Sequence, residues 1–188
     1  MELQKINVKF FVAEPNDVPL TDFIDLFHGW IQATDGVYHD VADYSHMQAG
    51  PGIVLVAQDT QVSVDETGGR RGLLYKQKSR LEGSNQEKLR QVFRSALENC
   101  HRIEKEPALI GKWKFQAGET EITINDRLSA PNTEQAFSEL KADLEAFLDK
   151  LYAGSAISME RNDDPRECLG LRVKASRPFE IDALLKNL

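Results

Sequence analysis

The sequence predicts an α+β fold, with an antiparallel-rich β-sheet and amphipathic helices mainly on one face. Three observations carry this. Short apolar runs alternate at period two, as half-buried strands do. Longer stretches between them repeat apolar residues at helical spacing. The connections between neighbouring strand runs are short, which suits hairpins and not parallel crossovers. The 188 residues, 41% of them apolar, fit a single domain over 1–188, with sub-lobes 1–106 and 107–188 as a subdivision.

Ile6, Val8, Phe10 and Val12 alternate and define the first strand. Leu20, Phe23, Ile24, Phe27 and Ile31 follow at helical spacing, after Pro19 and Thr21 and before Gly36. Residues 37–43 read as a weaker strand, and Ile53 to Val56 as a strand buried on both faces. Val62 and Val64 mark a short strand, Thr67-Gly68-Gly69 a turn, and Gly72 to Tyr75 the next strand. Ser84 with Glu87 is a capping-box signature. It opens a helix whose stripe is Leu89, Val92, Phe93, Ala96, Leu97, Cys100 and Ile103, ended by Pro107. Trp113 and Phe115 predict one strand and Ile122 and Ile124 its hairpin partner, with Gly118 near the turn. Pro131-Asn132 precedes a helix with the stripe Phe137, Leu140, Leu144, Phe147, Leu148 and Leu151, closed by Gly154. Ile157 and Met159, a polar turn at 162–166, and Leu169, Leu171 and Val173 form a last strand pair. A short helix carries Ile181, Leu184, Leu185 and Leu188.

The predicted helix starts near 85, 132 and 179 are evenly spaced, and Arg80-Leu81 and Arg127-Leu128 stand in phase. This suggests degenerate α-β-β repeats, against the plainer reading that compact α+β folds often space helices in this way.

Twenty-three basic against 30 acidic residues give a net charge of −7. That argues against broad nucleic-acid binding, which needs a basic surface. No apolar run approaches the roughly 20 residues of a membrane span, and the amino-terminal alternation reads as a strand and not a signal peptide. Cys100 and Cys168, far apart and in no metal-binding spacing, read as reduced thiols of a cytoplasmic protein.

The densest polar segment is His39-Asp40-Val41-Ala42-Asp43-Tyr44-Ser45-His46. Strand alternation puts His39 and Asp43 on one side, and His46 on the next loop can fold back to them. That is a candidate transition-metal site of imidazole and carboxylate ligands, with Asp40 or Tyr44 assisting a metal-bound water. A polar strand end leading into Gly50-Pro51-Gly52 has the same composition. Ser45-His46 lacks a nucleophile elbow, and Cys100 lies on an apolar stripe. Arg70 and Arg71 in a glycine-flanked loop, with Arg127 before a helix start, are candidate ligands for an anion. Solvated turn arginines and helix capping explain the same residues. Phe11, Tyr38 and Tyr44 on an uncovered sheet face would suit a homodimer or a protein partner.

The runs 40–46, Gly50 to Val56, Gly69 to Tyr75 and Asn125 to Leu128 resemble those of an uncharacterised bacterial protein family with no established activity. The resemblance implies a bacterial cytoplasmic protein and brings no site residues with it. Two functions therefore stand as expectations. The first is a soluble, non-enzymatic binding or interaction protein for an anionic ligand at Arg70, Arg71 and Arg127. The second is a metal-dependent hydrolase centred on His39, Asp43 and His46.

Overall fold

The computed structural model describes residues 1–188. Its central strand is β1 (Ile6–Val12), where the amino-terminal alternation placed it. The chain then forms α1 (Asp22–Ala33), β2 (Tyr38–Tyr44), β3 (Gly52–Ala57), β4 (Thr60–Asp65), a short 3-10 turn at Thr67–Gly69, and β5 (Gly72–Gln77). After α2 (Asn85–Lys105) come β6 (Phe115–Ile124), α3 (Glu134–Leu151), β7 (Ile157–Arg161), β8 (Leu169–Ala175) and α4 (Ile181–Asn187).

All eight strands form one sheet in the order β2-β3-β4-β5-β1-β6-β8-β7. Every neighbouring pair is antiparallel. The α+β class with an antiparallel sheet is therefore as the periodicity indicates. The helices α1, α2 and α3 each leave one strand and enter another running in the same direction, with antiparallel strands inserted between the two.

One face of β1, with Ile6, Val8, Phe10 and Val12, takes the helices. Phe10 meets Phe93 of α2 edge to face at 6.0 Å, and Phe93 in turn meets Phe147 of α3 at 4.8 Å. Phe23 of α1 packs against Trp113 at 4.8 Å. The core of buried residues runs without a break from Leu3 to Leu184, so both halves of the chain fill the same interior. The capping box forms as the sequence indicates: Ser84 accepts from the Glu87 backbone N–H, and the Glu87 carboxylate accepts from the Ser84 N–H at 2.8 Å.

Two expectations are corrected. Residues 113–124 are not a hairpin. Phe115 to Ile124 form the single strand β6, and Trp113 lies in the irregular segment before it. Thr120 pairs with Phe10 but Phe115 with Val12, so the strand carries a bulge at 116–119. Gly118 lies in that bulge because the 177–179 segment passes close by. A Cβ there would stand 3.1 Å from the Arg177 carbonyl oxygen. The α-β-β repeat is also absent: four strands follow α1, one follows α2 and two follow α3. The even helix spacing reflects similar crossover lengths and not a repeated unit.

Asn132 has a different task from the one its position suggests. Thr133 caps α3, accepting from the Ala136 N–H at 3.2 Å. The Asn132 amide points the other way and donates to the carbonyls of Asn162 and Asp164 at 2.8 and 2.9 Å, while its oxygen accepts from Arg161 at 2.9 Å. It holds the β7–β8 turn against the start of α3.

Candidate functional site

With the helices on one face, the other face of the sheet carries no helix, although β1 is buried along its whole length. Period-two alternation sends Asn7, Lys9 and Phe11 of β1 to it, together with Leu74 and Lys76 of β5, and Glu121 and Thr123 of β6. The turn at 67–70 walls one end and the 160–168 turn the other, enclosing a trough of about 610 Å³. Five basic side chains line it (Lys9, Arg70, Lys76, Arg161, Arg172) against four acidic ones (Asp65, Glu121, Glu160, Glu167). In a chain of net charge −7 this is a locally non-acidic surface.

Lys9 anchors the floor. Its side chain crosses β5 above Gly72, where a Cβ would lie 2.9 Å from the Lys9 Cε and 2.5 Å from the Phe10 carbonyl oxygen. The ammonium reaches Asp65 on β4 at 2.6 Å and the Thr67 carbonyl at 3.0 Å. Asp65 also accepts from the Thr67 N–H and hydroxyl, at 3.1 and 2.8 Å. Lys9 and Asp65 are both buried, so each needs the other to offset the cost of leaving water. The same bonds fix the 67–70 turn over the end of the trough.

Beside this pair, the Arg70 guanidinium lies 3.8 Å from the Phe11 ring centroid and grips Glu119 at 2.6 and 3.3 Å. The β6 bulge brings Glu119 within reach. The bond from Arg70, with its charge, holds the Glu119 carboxyl below its ordinary range against the opposing effect of burial. Arg172 stands 3.9 Å from the Glu119 carboxylate and 4.0 Å from that of Glu121.

The middle of the trough differs. Lys76, Asn7 and Thr123 line it in one row across β5, β1 and β6, and Gln61 of β4 continues that row outside the lining. None of the four side chains has a hydrogen-bond or ion-pair partner within the protein, whereas every other basic lining residue is paired. Asn7 is only 9% exposed, so its amide is nearly enclosed and opens only to the trough. Cys168 also lines the trough, its thiol donating to Asn125 Oδ1 at 3.3 Å.

The three arginines expected to hold an anion do not form one site. Arg70 lines the trough but is committed to Glu119 and Phe11. Arg71 points away from it: its Nε and Nη2 donate to Glu66 at 2.8 and 2.6 Å, and its Nη1 to Asn16 Oδ1 and the Val18 carbonyl at 3.0 and 2.6 Å. It staples the segment before α1 to the sheet. Arg127 is exposed on a separate turn, donating to the Pro165 carbonyl at 3.4 Å. Successive loop residues face opposite ways, and the repeat that would have aligned Arg127 with this edge does not exist.

His46 comes near enough to Asp43 for its charge to act on that carboxylate, but His39, Asp43 and His46 do not close on a common point. No three histidine, cysteine, aspartate or glutamate side chains anywhere in the chain group so as to hold a metal ion. A bulge between Tyr38 and Asp40 breaks the alternation on which that reading rests. The Asp43 carboxylate instead accepts from the Ser45 N–H at 2.8 Å, and Ser45 holds its pKa down. Asp40 folds back on the Val41 N–H at 2.8 Å.

Phe11, Tyr38 and Tyr44 do not share a surface either. Phe11 is buried beneath Arg70, Tyr38 lies half-buried with its hydroxyl 3.4 Å from Asn99 of α2, and Tyr44 alone is exposed. Cys100 is fully buried and its thiol pKa is pushed well up by that burial. No helix is long and apolar enough to cross a membrane.

Lys9, Lys76, Asn7 and Thr123 are the residues sequence reasoning missed. Their signal was the polar half of the same alternation that identified the strands. Compared with protein-family models, with curated proteins and with solved structures, the chain matches none. What it defines is a class by architecture: a single antiparallel sheet, helices on one face, and a charged trough on the other.

Proposed function

We propose that the chain is a non-enzymatic binding protein that takes an anionic group in the trough on its helix-free sheet face. One observation carries this reading: Lys76 is the single lining cation without an ion pair, and it stands beside the nearly buried, unpartnered Asn7 amide and the Thr123 hydroxyl. An ammonium, an amide N–H and a hydroxyl in one row offer charge and directed donors to a carboxylate or phosphate oxygen. The flanking pairs Lys9–Asp65 and Arg70–Glu119 keep their cations neutralised and leave Lys76 to set the charge preference. The site moves from Arg70, Arg71 and Arg127 to this row, while the expected ligand class stays the same. A bacterial cytoplasmic setting belongs to the same proposal. It is supported by the resemblance noted above and by two thiols that form no disulfide.

Thermal stability measured against phosphate, nucleotides and small carboxylates tests the reading. At least one of these raises Tm in the native chain, and Lys76→Ala abolishes that rise while leaving the ligand-free Tm within a few degrees. No shift with any of the three classes sinks it.

A further inference from the structure

The sheet has two edges, β2 and β7, and only one of them is protected. An edge strand presents unpaired N–H and C=O groups that another strand can extend. On β2 the bulge at His39 interrupts the edge, and Asp40 and Asp43 turn back to occupy the Val41 and Ser45 N–H groups. On β7 there is no bulge, and the β7–β8 register is regular from Ile157 to Arg161. The Asn162 N–H bonds to the Gly170 carbonyl, and the Ser176 N–H to that of Ala156, so the even-numbered residues face β8. Antiparallel geometry then turns the N–H and C=O groups of Ile157, Met159 and Arg161 outward, and no side chain caps them. Ile157 and Met159 are also half-exposed apolar side chains on the helix face of this edge.

We infer that β7 is the interface of a homodimer in which two copies pair their β7 strands antiparallel about a two-fold axis at Met159. The self-pairing is complementary. Ile157, Met159 and Arg161 of one copy face Arg161, Met159 and Ile157 of the other, which matches every outward donor to an acceptor. On the helix-free face Ser158 falls opposite Glu160 of the second copy, so no like charges meet. The acidic turn at 163–167 passes beyond the uncharged Gly154-Ser155-Ala156 segment of the other chain. A pairing that joined β2 to β2 would meet the bulge at His39 and the occupied Val41 N–H, and one that joined β2 to β7 would not close. Because Glu160 and Asn162 line the trough, the two troughs meet across the axis. The inference rests on the edge and stands whether or not the trough binds an anion.

Sedimentation velocity over a concentration series tests it. The native chain is expected to show a monomer–dimer equilibrium. Met159→Pro removes an outward N–H without touching a β7–β8 bond, and it shifts the chain to monomer with the circular dichroism of the native fold. Ser158→Glu, which opposes two carboxylates, weakens the dimer, and Ser158→Lys, which opposes an ammonium to Glu160, tightens it about threefold to tenfold. If Met159→Pro disturbs the fold, the two Ser158 variants decide alone. A monomer up to about millimolar concentration overturns the inference. So does a dimer whose affinity neither Ser158 variant changes, since that dimer uses another surface.

Discussion

Lys9 is the side chain on which the helix-free face depends. A buried ammonium is tolerable only because Asp65 and the Thr67 carbonyl receive it, and its path exists only because β5 has a glycine where it crosses. Breaking such a pair from one side is costly, because the remaining charge stays buried. Lys9→Ala is therefore expected to lower stability by about 3–5 kcal/mol in chemical denaturation. Asp65→Asn should fall short of that, because the amide oxygen still accepts from Thr67. Gly72→Ala should destabilise by at least 2 kcal/mol, on the order of a strong overpacking penalty, since the added methyl meets backbone at 2.5 Å. Equal effects of Gly72→Ala and a conservative exposed substitution would show that Lys9 has another route to Asp65.

At the scale of elements, α2 organises the helix layer. It contacts β1 and β5 beneath it and α3 and α4 beside it, and Phe93 sits between Phe10 and Phe147. Phe93→Ala removes a fully buried ring from both layers and should cost about 3–5 kcal/mol. Ser84→Ala removes the cap alone and should cost about 1 kcal/mol, read as a shift in denaturant midpoint at constant m-value. The polar turn at 162–166 is an element by virtue of Asn132. Asn132→Ala removes the donor to the Asp164 carbonyl and leaves the Asn162 carbonyl with Arg161 alone, and it should raise hydrogen exchange in that turn before it affects the β1–β6 core.

For the whole molecule, acid is the condition that loosens the fold. Glu2 is held down to about 2, first by its hydrogen bond from the buried Lys88 and then by those from Gln4 and the nearby charges. Glu119, Glu87, Asp43, Asp164 and Asp182 are also lowered, each by hydrogen bonds to its carboxylate. A carboxyl lowered by folding binds its proton more tightly in the unfolded chain, so protonation favours unfolding. This stability is fully present above the ordinary carboxylate range and is lost as pH falls through it, for Glu2 down to about 2. The midpoint of urea unfolding should thus fall steadily between about pH 5 and pH 2. Glu2→Gln should flatten that decline, and an unchanged slope would remove Glu2 from the account.

The sequence by itself determined the elements and the side of each that is buried. Period-two and period-3.6 patterns report directly which atoms must leave water, and local capping at Ser84 needs only residues three apart. The fold class followed from those, as did the burial of Cys100. Trp113 to Ile124 was misread because a bulged strand and a hairpin share one apolar pattern, and only the pairing of both ends of the segment with β1 separates them. The site was legible only as residue types. Lys76, Asn7 and Thr123 come from three strands spread over more than 100 residues, and Arg70 and Arg71 are adjacent yet serve opposite sides of a strand. Which cation is neutralised and which stays free depends on strand order and register, and these are set by long-range pairing that no local window contains.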